Sequence, residues 1–309
     1  MGILDTVFRD MAVTGGVFAR CAYHGDWQMA LEARGGQMLF HVIKDGGTEF
    51  ELLPEHRRQR VSLATGDIVV LPYGDAHRLW RGESQPVIPK ALAVPDLNRF
   101  TNLDDKKSGD PTVFLCGYYQ LDQLRSHPLL RRLPRVMHIR AGHDAGQMAS
   151  IIALIDREAH TSTDGSQTIM NRLTEPLLIY LLRAWTQQQQ TPVGLLAAFA
   201  DPVVSRALAA MHSKPEHRWT VAILGREARA SRAKFAKRFQ DLLGYGPIEY
   251  LKQLRMTRAM ELLRDTRMPL ARIAEQSGYE SAAAFSKAFK KHTGLSPQQY
   301  QRGQLIAKR

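Results

Sequence analysis

The chain has 309 residues, 44% hydrophobic and 23% charged, with a formal net charge of +12. That length exceeds an ordinary single domain, so two are expected. No apolar run reaches the length of a membrane span, and Met1-Gly-Ile-Leu-Asp lacks the basic start and apolar core of a secretion signal, so no membrane partner and a cytoplasmic location are expected. The charge is unevenly spread: from Arg218 onward 19 Lys and Arg face 7 Asp and Glu, which leaves 23 of each upstream. A neutral two-thirds followed by a basic third points to a polyanion partner for the latter, duplex DNA foremost.

From about Val17 to Asp122 the pattern is of short strands between Gly, Pro and polar turns: Val17–Tyr23, Met38–Ile43, Thr48–Leu53, Ile68–Leu71 and Val113–Leu121. Asp96 to Pro111, charged and rich in turn formers, reads as an excursion from this β-structure. The stretch Ala64-Thr-Gly66-Asp67-Ile-Val-Val-Leu-Pro72-Tyr-Gly74-Asp-Ala-His77 is a Gly-Asp turn, an apolar strand and Pro-x-Gly-x-x-His. It resembles the second motif of cupins, small jelly-roll barrels, and Gly35-Gly36 leading to His41 stands where cupins place their first. The resemblance implies a β-barrel over roughly a hundred residues. Cupin enzymes hold a metal with three His and a Glu, two of the His as an H-x-H pair. Here His41 is followed by Val42 and Ile43, and Glu49 or Glu51 is a poor stand-in. His41 and His77 alone make an incomplete shell, since three protein ligands are usual. No metal, no cofactor and no catalytic residue are therefore expected. A cupin-type metalloenzyme with an accessory nucleic-acid-binding domain is the alternative.

The two cysteines, Cys21 and Cys116, both fall in expected strands. Disulfides are rare in the cytosol unless they sense redox state, and Arg20 and His24 place cations beside Cys21 in the chain, which favours a thiolate. Two readings stay open for this half. One is oxidant sensing through Cys21 and Cys116. The other is a small effector in the barrel mouth touching Tyr23, His41, His77 and Trp80, with both cysteines merely buried.

His143–Ala159 and Ser166–Gln190 have helical period. The second carries a stripe of Leu173, Leu177, Leu178, Leu181, Leu182 and Trp185, with Pro176 as an expected kink. Gln187-Gln-Gln-Gln-Gln-Thr-Pro192 has no face to bury and reads as a linker, which divides the chain into 1–190 and 191–309. Pro202–His212 is an amphipathic helix opening the second part.

Beyond it, two helix-turn-helix units follow in tandem. Thr220 caps a helix carrying Val221, Leu224 and Ala228; Ser231 caps a second helix with Phe235, Phe239 and Leu242 inward, stopped at Gly244. Pro269 to Ser277, Gly278-Tyr279-Glu280 and Ser281 to Lys291 repeat the arrangement, with Phe285 and Phe289 for Phe235 and Phe239 and Gly294 as the stop. Leu243-Gly244-Tyr-Gly-Pro247-Ile-Glu-Tyr250 is echoed by Thr293-Gly294-Leu-Ser-Pro297-Gln-Gln-Tyr300. Ile248 to Arg264 reads as one long connecting helix. A duplicated unit is far more specific than a single motif.

Ile273-Ala274, Gly278-Tyr279-Glu280-Ser281, Phe285-Ser286-Lys287-Ala288-Phe289-Lys290 and Gly294-Leu-Ser-Pro297 with Tyr300 resemble the DNA-binding domain of AraC/XylS-type transcription regulators. The first turn departs from that pattern: Ala230 stands near where the family often has Gly, so strain is expected there. Together with the cupin-like half, the chain resembles the cupin-sensor regulators of this family, including the branch responsive to reactive chlorine. The implied fold is α+β: a cupin-like barrel with trailing helices that commonly mediate dimerisation, then an all-α domain of two helix-turn-helix units. The implied function is a sequence-specific transcription regulator whose barrel responds to a small effector or oxidant. The implied partners are double-stranded DNA, a second copy of the chain and, for an activator, RNA polymerase.

A major groove admits a helix that reads base edges. In the first unit Arg232, Ala233, Ala236 and Lys237 face outward, with Lys234, Arg238 and Arg229 placed for phosphates. In the second, Ala282, Ala283, Ser286 and Lys287 face outward, with Lys290 and Lys291 on the backbone. The second helix has few hydrogen-bonding side chains, so the first unit is expected to carry most base discrimination and the second mainly affinity.

Overall fold

The computed structural model describes residues 14–53, 60–82, 100–120, 133–142, 145–161, 163–188, 195–265 and 268–307. They fall into two compact units, one running from Thr14 to Gln188 and the other from Leu195 to Ala307.

The first unit is a β-sandwich. Its ten described strands are β1 Thr14–His24, β2 Trp27–Leu31, β3 Gln37–Asp45, β4 Thr48–Leu52, β5 Arg60–Leu63, β6 Ile68–Leu71, β7 His77–Arg81, β8 Thr101–Asp104, β9 Pro111–Gln120 and β10 Met137–Ile139. One sheet has the order β10-β6-β3-β9-β1-β8, the other β2-β7-β4-β5. Their inner faces meet in one apolar core, with Phe18, Leu39, Ile43, Val69, Leu71 and Phe114 from the first sheet against Met29, Leu31, Phe50, Leu52 and Leu79 from the second. Side chains alternate across each strand, so residues an even number apart share a face. Gly66 and Gly74 sit at positive φ in the turns flanking β6; a Cβ at Gly74 would come within 2.1 Å of the Arg34 carbonyl oxygen. Those two turns are the cupin-like motif.

The expected excursion over Asp96–Pro111 is corrected in part: residues 100–111 are described, and Thr101–Asp104 pairs in parallel with β1, Cys21 opposite Leu103. This is a short polar edge strand, the form in which sheet edges are usually blunted, and its composition is that of a loop. Leu103 packs on the core.

Two helices follow, α1 Ala145–Thr161 and α2 Ser166–Gln188. Pro176 lies inside α2, which runs unbroken past it, and Leu177, Leu178, Leu181 and Leu182 are buried. Close approach to β1 is possible because Gly15 and Gly16 lack a Cβ: one at Gly15 would stand 2.5 Å from the Thr174 hydroxyl. Residues 189–194, where most of the linker was expected, lie outside the described residues.

The second unit is all helical: α3 Leu195–Ala200, α4 Pro202–Ser213, α5 Val221–Glu227, α6 Arg232–Leu243, α7 Pro247–Asp265, α8 Leu270–Gln276, α9 Ala282–Thr293 and α10 Pro297–Ala307. The side chains of Ser231 and Ser281 each accept a hydrogen bond from the third backbone N–H of α6 and α9, and Gly244 and Gly294 end those helices in left-handed conformation. Phe235, Phe239, Phe285 and Phe289 are fully buried.

The strained position of the first turn is Arg229 rather than Ala230. Backbone bonds Arg229 N–H to Arg226 O and Ala230 N–H to Gly225 O match Gly278 N–H to Glu275 O and Tyr279 N–H to Ala274 O. Arg229 therefore occupies the place of Gly278, at φ 53° against 72°.

Candidate nucleic-acid interface and buried sensor site

In the helical unit, Arg232, Ala233, Lys234, Lys237 and Arg238 on α6 are exposed, and so are Ala283, Lys287, Lys290 and Lys291 on α9; Ala236, Ala282 and Ser286 are half-covered. All twelve lie off the faces that bury the paired phenylalanines, so each helix presents a basic outer surface. Three of them already have partners. Arg238 Nε donates to Asp201 Oδ2 at 2.7 Å, although about half of its side chain remains exposed. Asp201 in turn accepts from the Val203 and Val204 N–H groups as the cap of α4. Burial would raise the Asp201 carboxyl, but the N–H groups of Val204 and Val203 and the Arg238 guanidinium outweigh it and hold it below the ordinary value. Ser286 Oγ donates to the Ala282 carbonyl at 2.7 Å, so its proton is spent within the helix and it faces outward as an acceptor. Lys237 lies 3.6 Å from Asp241, one turn on, an exposed pair that exchanges readily with a phosphate or base.

Two arginines of this unit escaped the reading of motifs. Arg206 on α4 donates to Ala228 O at 3.3 Å, and Arg255 on α7 donates to Pro215 O at 2.7 Å. They stand the same distance apart in the chain as Arg229 and Gly278. The duplication thus begins one helix earlier than the helix-turn-helix signature does.

In the sandwich, the core holds polar groups in a row. His41 and His77 are fully buried, as are Cys21 and Cys116. His77 Nδ1 lies 2.8 Å from the Asp75 carbonyl oxygen, which only accepts, so Nδ1 carries the proton. Its Nε2 then accepts from His41 Nε2–H, 2.8 Å away. That leaves His41 Nδ1 as the acceptor for the Cys116 thiol at 3.0 Å. The hydrogen bonds accordingly run one way, from Cys116 through His41 and His77 to Asp75. Desolvation pushes both imidazoles down, His41 well below its ordinary value with His77 adding to the effect, and His77 to about 4. Burial, with Cys21 alongside, pushes the Cys116 thiol well up. Two imidazole nitrogens sharing one metal at about 2.0–2.1 Å would stand roughly 3.3 Å apart, so the observed pair has the geometry of a hydrogen bond.

Cys21 faces Phe114 across the β1–β9 ladder, which sets it diagonally from Cys116 on the same inner face. Tyr23, two residues on, shares that face and packs at a tilt against Trp27 and Phe114 at centroid distances of 5.3 and 6.0 Å. Burial raises the Tyr23 hydroxyl, and Cys21 and Cys116 add to that. The hydroxyl of Tyr23 and the indole N–H of Trp27 are buried without a hydrogen-bond partner.

Two expectations fail here. Arg20 and His24 do not place charge on Cys21: Arg20 pairs with Asp156 at 3.4 Å and His24 with Asp105 at 2.6 Å, both on the opposite face of β1. Trp80 is not beside His77 either. Three residues separate them, so Trp80 lies on the outer face of its sheet, with the guanidinium groups of Arg60 and Arg78 over its ring at 5.0 and 4.8 Å. Glu51 is taken by Arg78 and Glu49 by Arg60 and Ser62. The structure thus brings together Cys21, Tyr23, His41, His77 and Cys116 and leaves Trp80 out.

Comparison with known proteins matches this geometry. Residues 3–187 match the family model described as Cupin, and residues 224–303 match a helix-turn-helix domain. A putative AraC-like transcription regulator of Streptomyces lividans is 35% identical over 90% of this chain and 90% of its own. One of Streptomyces antibioticus is 36% identical over 75% and 79%. The Escherichia coli protein named RCS-specific HTH-type transcriptional activator RclR is 24% identical over 97% of both chains. A cupin-type sandwich followed by a duplicated basic helix-turn-helix, with relatives of this identity and coverage, makes the chain a member of the AraC family of DNA-binding transcription regulators.

Proposed function

We propose that this regulator senses oxidant through its buried thiols and reads its operator through α6 and α9. The observation that carries the sensing half is the placement of Cys116, side by side with Cys21 and with its proton held by His41. A two-electron oxidant such as hypochlorous acid would take two electrons and one proton from the two thiols, leave as chloride and water, release the second proton to solvent, and join the sulfurs. Diagonal neighbours in a sheet stand roughly 7–8 Å apart at Cα, whereas a relaxed disulfide spans about 4.4–6.8 Å. Closing the bond would therefore draw β1 and β9 together and deprive His41 Nδ1 of its donor. The relative named as an RCS-specific activator supports this reading.

A second reading has its own observation. The unpartnered Tyr23 hydroxyl and Trp27 indole, set in an aromatic cluster, suit a small ligand with a hydrogen-bond acceptor. Cys21→Ser and Cys116→Ser separate the two: oxidant-induced reporter expression is expected to vanish in both variants, and survival of the response in both would leave the ligand reading standing.

In the output unit, Arg232, Lys237 and Lys287 would meet base edges, with Arg229, Lys234, Lys290 and Lys291 on phosphates. Pairing of two copies through the trailing helices is favoured by Leu154 and Ile169, large apolar side chains standing 39% and 45% exposed on α1 and α2. As an activator the protein would also touch RNA polymerase. A DNA partner favours a cytoplasmic location, and no enzymatic step is invoked.

A further inference from the structure

The two helix-turn-helix units share a half-buried cation. Arg255 projects from the middle of α7, the helix that connects them. Its guanidinium donates from Nε to Pro215 O at 2.7 Å, and from Nη2 to His217 O at 2.9 Å and Glu216 O at 3.4 Å. These are three successive carbonyls of the segment that leads into the first unit. The same guanidinium also lies against Gly278, in the turn of the second unit. A Cβ at Gly278 would come within 2.7 Å of Cζ and Nη2 and 2.8 Å of Nε. Gly278 therefore answers two demands, a φ of 72° and the room Arg255 occupies.

The counterpart of Arg255 in the first repeat behaves differently. Arg206 donates to Ala228 O, in the turn of its own unit, and Arg229 stands where Gly278 does. Only the second arginine spans two units. A planar group held through Nε and Nη2 by three carbonyls, and packed against the backbone of the other turn, resists both sliding and rotation. The neighbouring Arg218–Glu280 pair also links the units at 2.6 Å, but its side chains are 84% and 79% exposed and it constrains little.

We propose that Arg255 is a positioning residue that fixes the separation and phase of α6 and α9 on the duplex. It touches no DNA itself; it sets how far apart the two base-reading surfaces are held. This rests on α6 and α9 being the two reading helices. Substitution should therefore relax the required spacing of the operator, whatever it does to affinity.

The test is selection of bound sequences from random duplexes by the full chain, followed by titration of the selected operator with one base pair inserted between its two boxes. The wild type is expected to enrich two boxes at one spacing, about one helical turn centre to centre, and to lose about tenfold or more on insertion. Arg255→Ala should enrich boxes at several spacings and lose less than about threefold. Arg255→Lys, a point donor unable to span three carbonyls, should behave likewise and serves if the alanine variant fails to fold. Arg218→Ala should match the wild type. A full insertion penalty in the Arg255 variants would overturn the proposal, and so would relaxation in Arg218→Ala alone. Enrichment of a single box by the wild type would refute the two-helix reading beneath it.

Discussion

The two units keep their ionisable groups in opposite places. In the sandwich the chemistry is inside: two imidazoles and two thiols lie buried in the core, with Cys116, His41 and His77 hydrogen-bonded head to tail. In the helical unit the core is mainly aromatic, with His212 buried in it, and most of the cations are outside, notably on α6 and α9. A buried titratable row responds sharply to a change in covalent or protonation state, because solvent cannot compensate it. An exposed basic face does the reverse; it holds a polyanion at little desolvation cost and gives it up to salt. On the proposed reading, one unit registers a chemical event and the other grips and releases DNA.

The largest effect that should sharpen this contrast concerns the aromatic core. Phe239→Ala and Phe289→Ala should each destabilise the helical unit by about 3–5 kcal/mol in urea denaturation. A much smaller loss at either would mean its repeat is not held by that core.

Next comes pH. His77 has a folded value of about 4, below its ordinary 6.5, and His41 is also depressed. Below pH 6.5 the unfolded chain binds protons that the folded chain refuses, so stability present at neutral pH is lost as pH falls from about 6.5 toward 4. For His77 that loss is up to about 3 kcal/mol. Denaturation of the sandwich unit at pH 7 and pH 5 should show the drop, and His77→Asn should flatten it. An equal drop in the helical unit would erase the distinction.

On the DNA side, Lys237→Ala should cost about 1–3 kcal/mol at one base position, whereas Lys290→Ala should weaken all duplexes alike. Binding measured on a panel of single-base operator variants separates the two; uniform loss in both would remove base reading from α6. The smallest effect is at the first turn. Arg229→Gly relieves a left-handed arginine and should raise stability by about 0.5–1 kcal/mol while lowering affinity for every duplex, since it deletes the proposed phosphate contact.

How much of this was legible in the sequence follows from period and length. The tandem helices were readable because Ser231 and Ser281, Gly244 and Gly294, and the phenylalanine pairs mark the same points twice. Strands β2, β5, β7, β8 and β10 were not singled out, being three to five residues long, and β8 being polar as well. Two site errors had a remedy in the sequence. Arg20 and His24 stand one and three residues from Cys21, and Trp80 three from His77; odd separations along a strand put side chains on opposite faces. Tyr23, two from Cys21, obeys the same rule. The meeting of Cys116 with His41 depends on which strands pair, and nothing local encodes that. Arg255 was missed because its partners are backbone carbonyls 38–40 positions away.

The central claim is that a neutral sensor carries a basic pair of DNA-reading helices, and one titration tests it most directly. The full chain is measured against its selected operator and against random duplex, from about 50 to 200 mM salt. The operator should bind at least about 10³-fold tighter than random duplex. Affinity for both should fall with salt, with a log–log slope of about −0.9 per phosphate neutralised. Equal affinity for the two duplexes, unmoved by salt, would contradict the account.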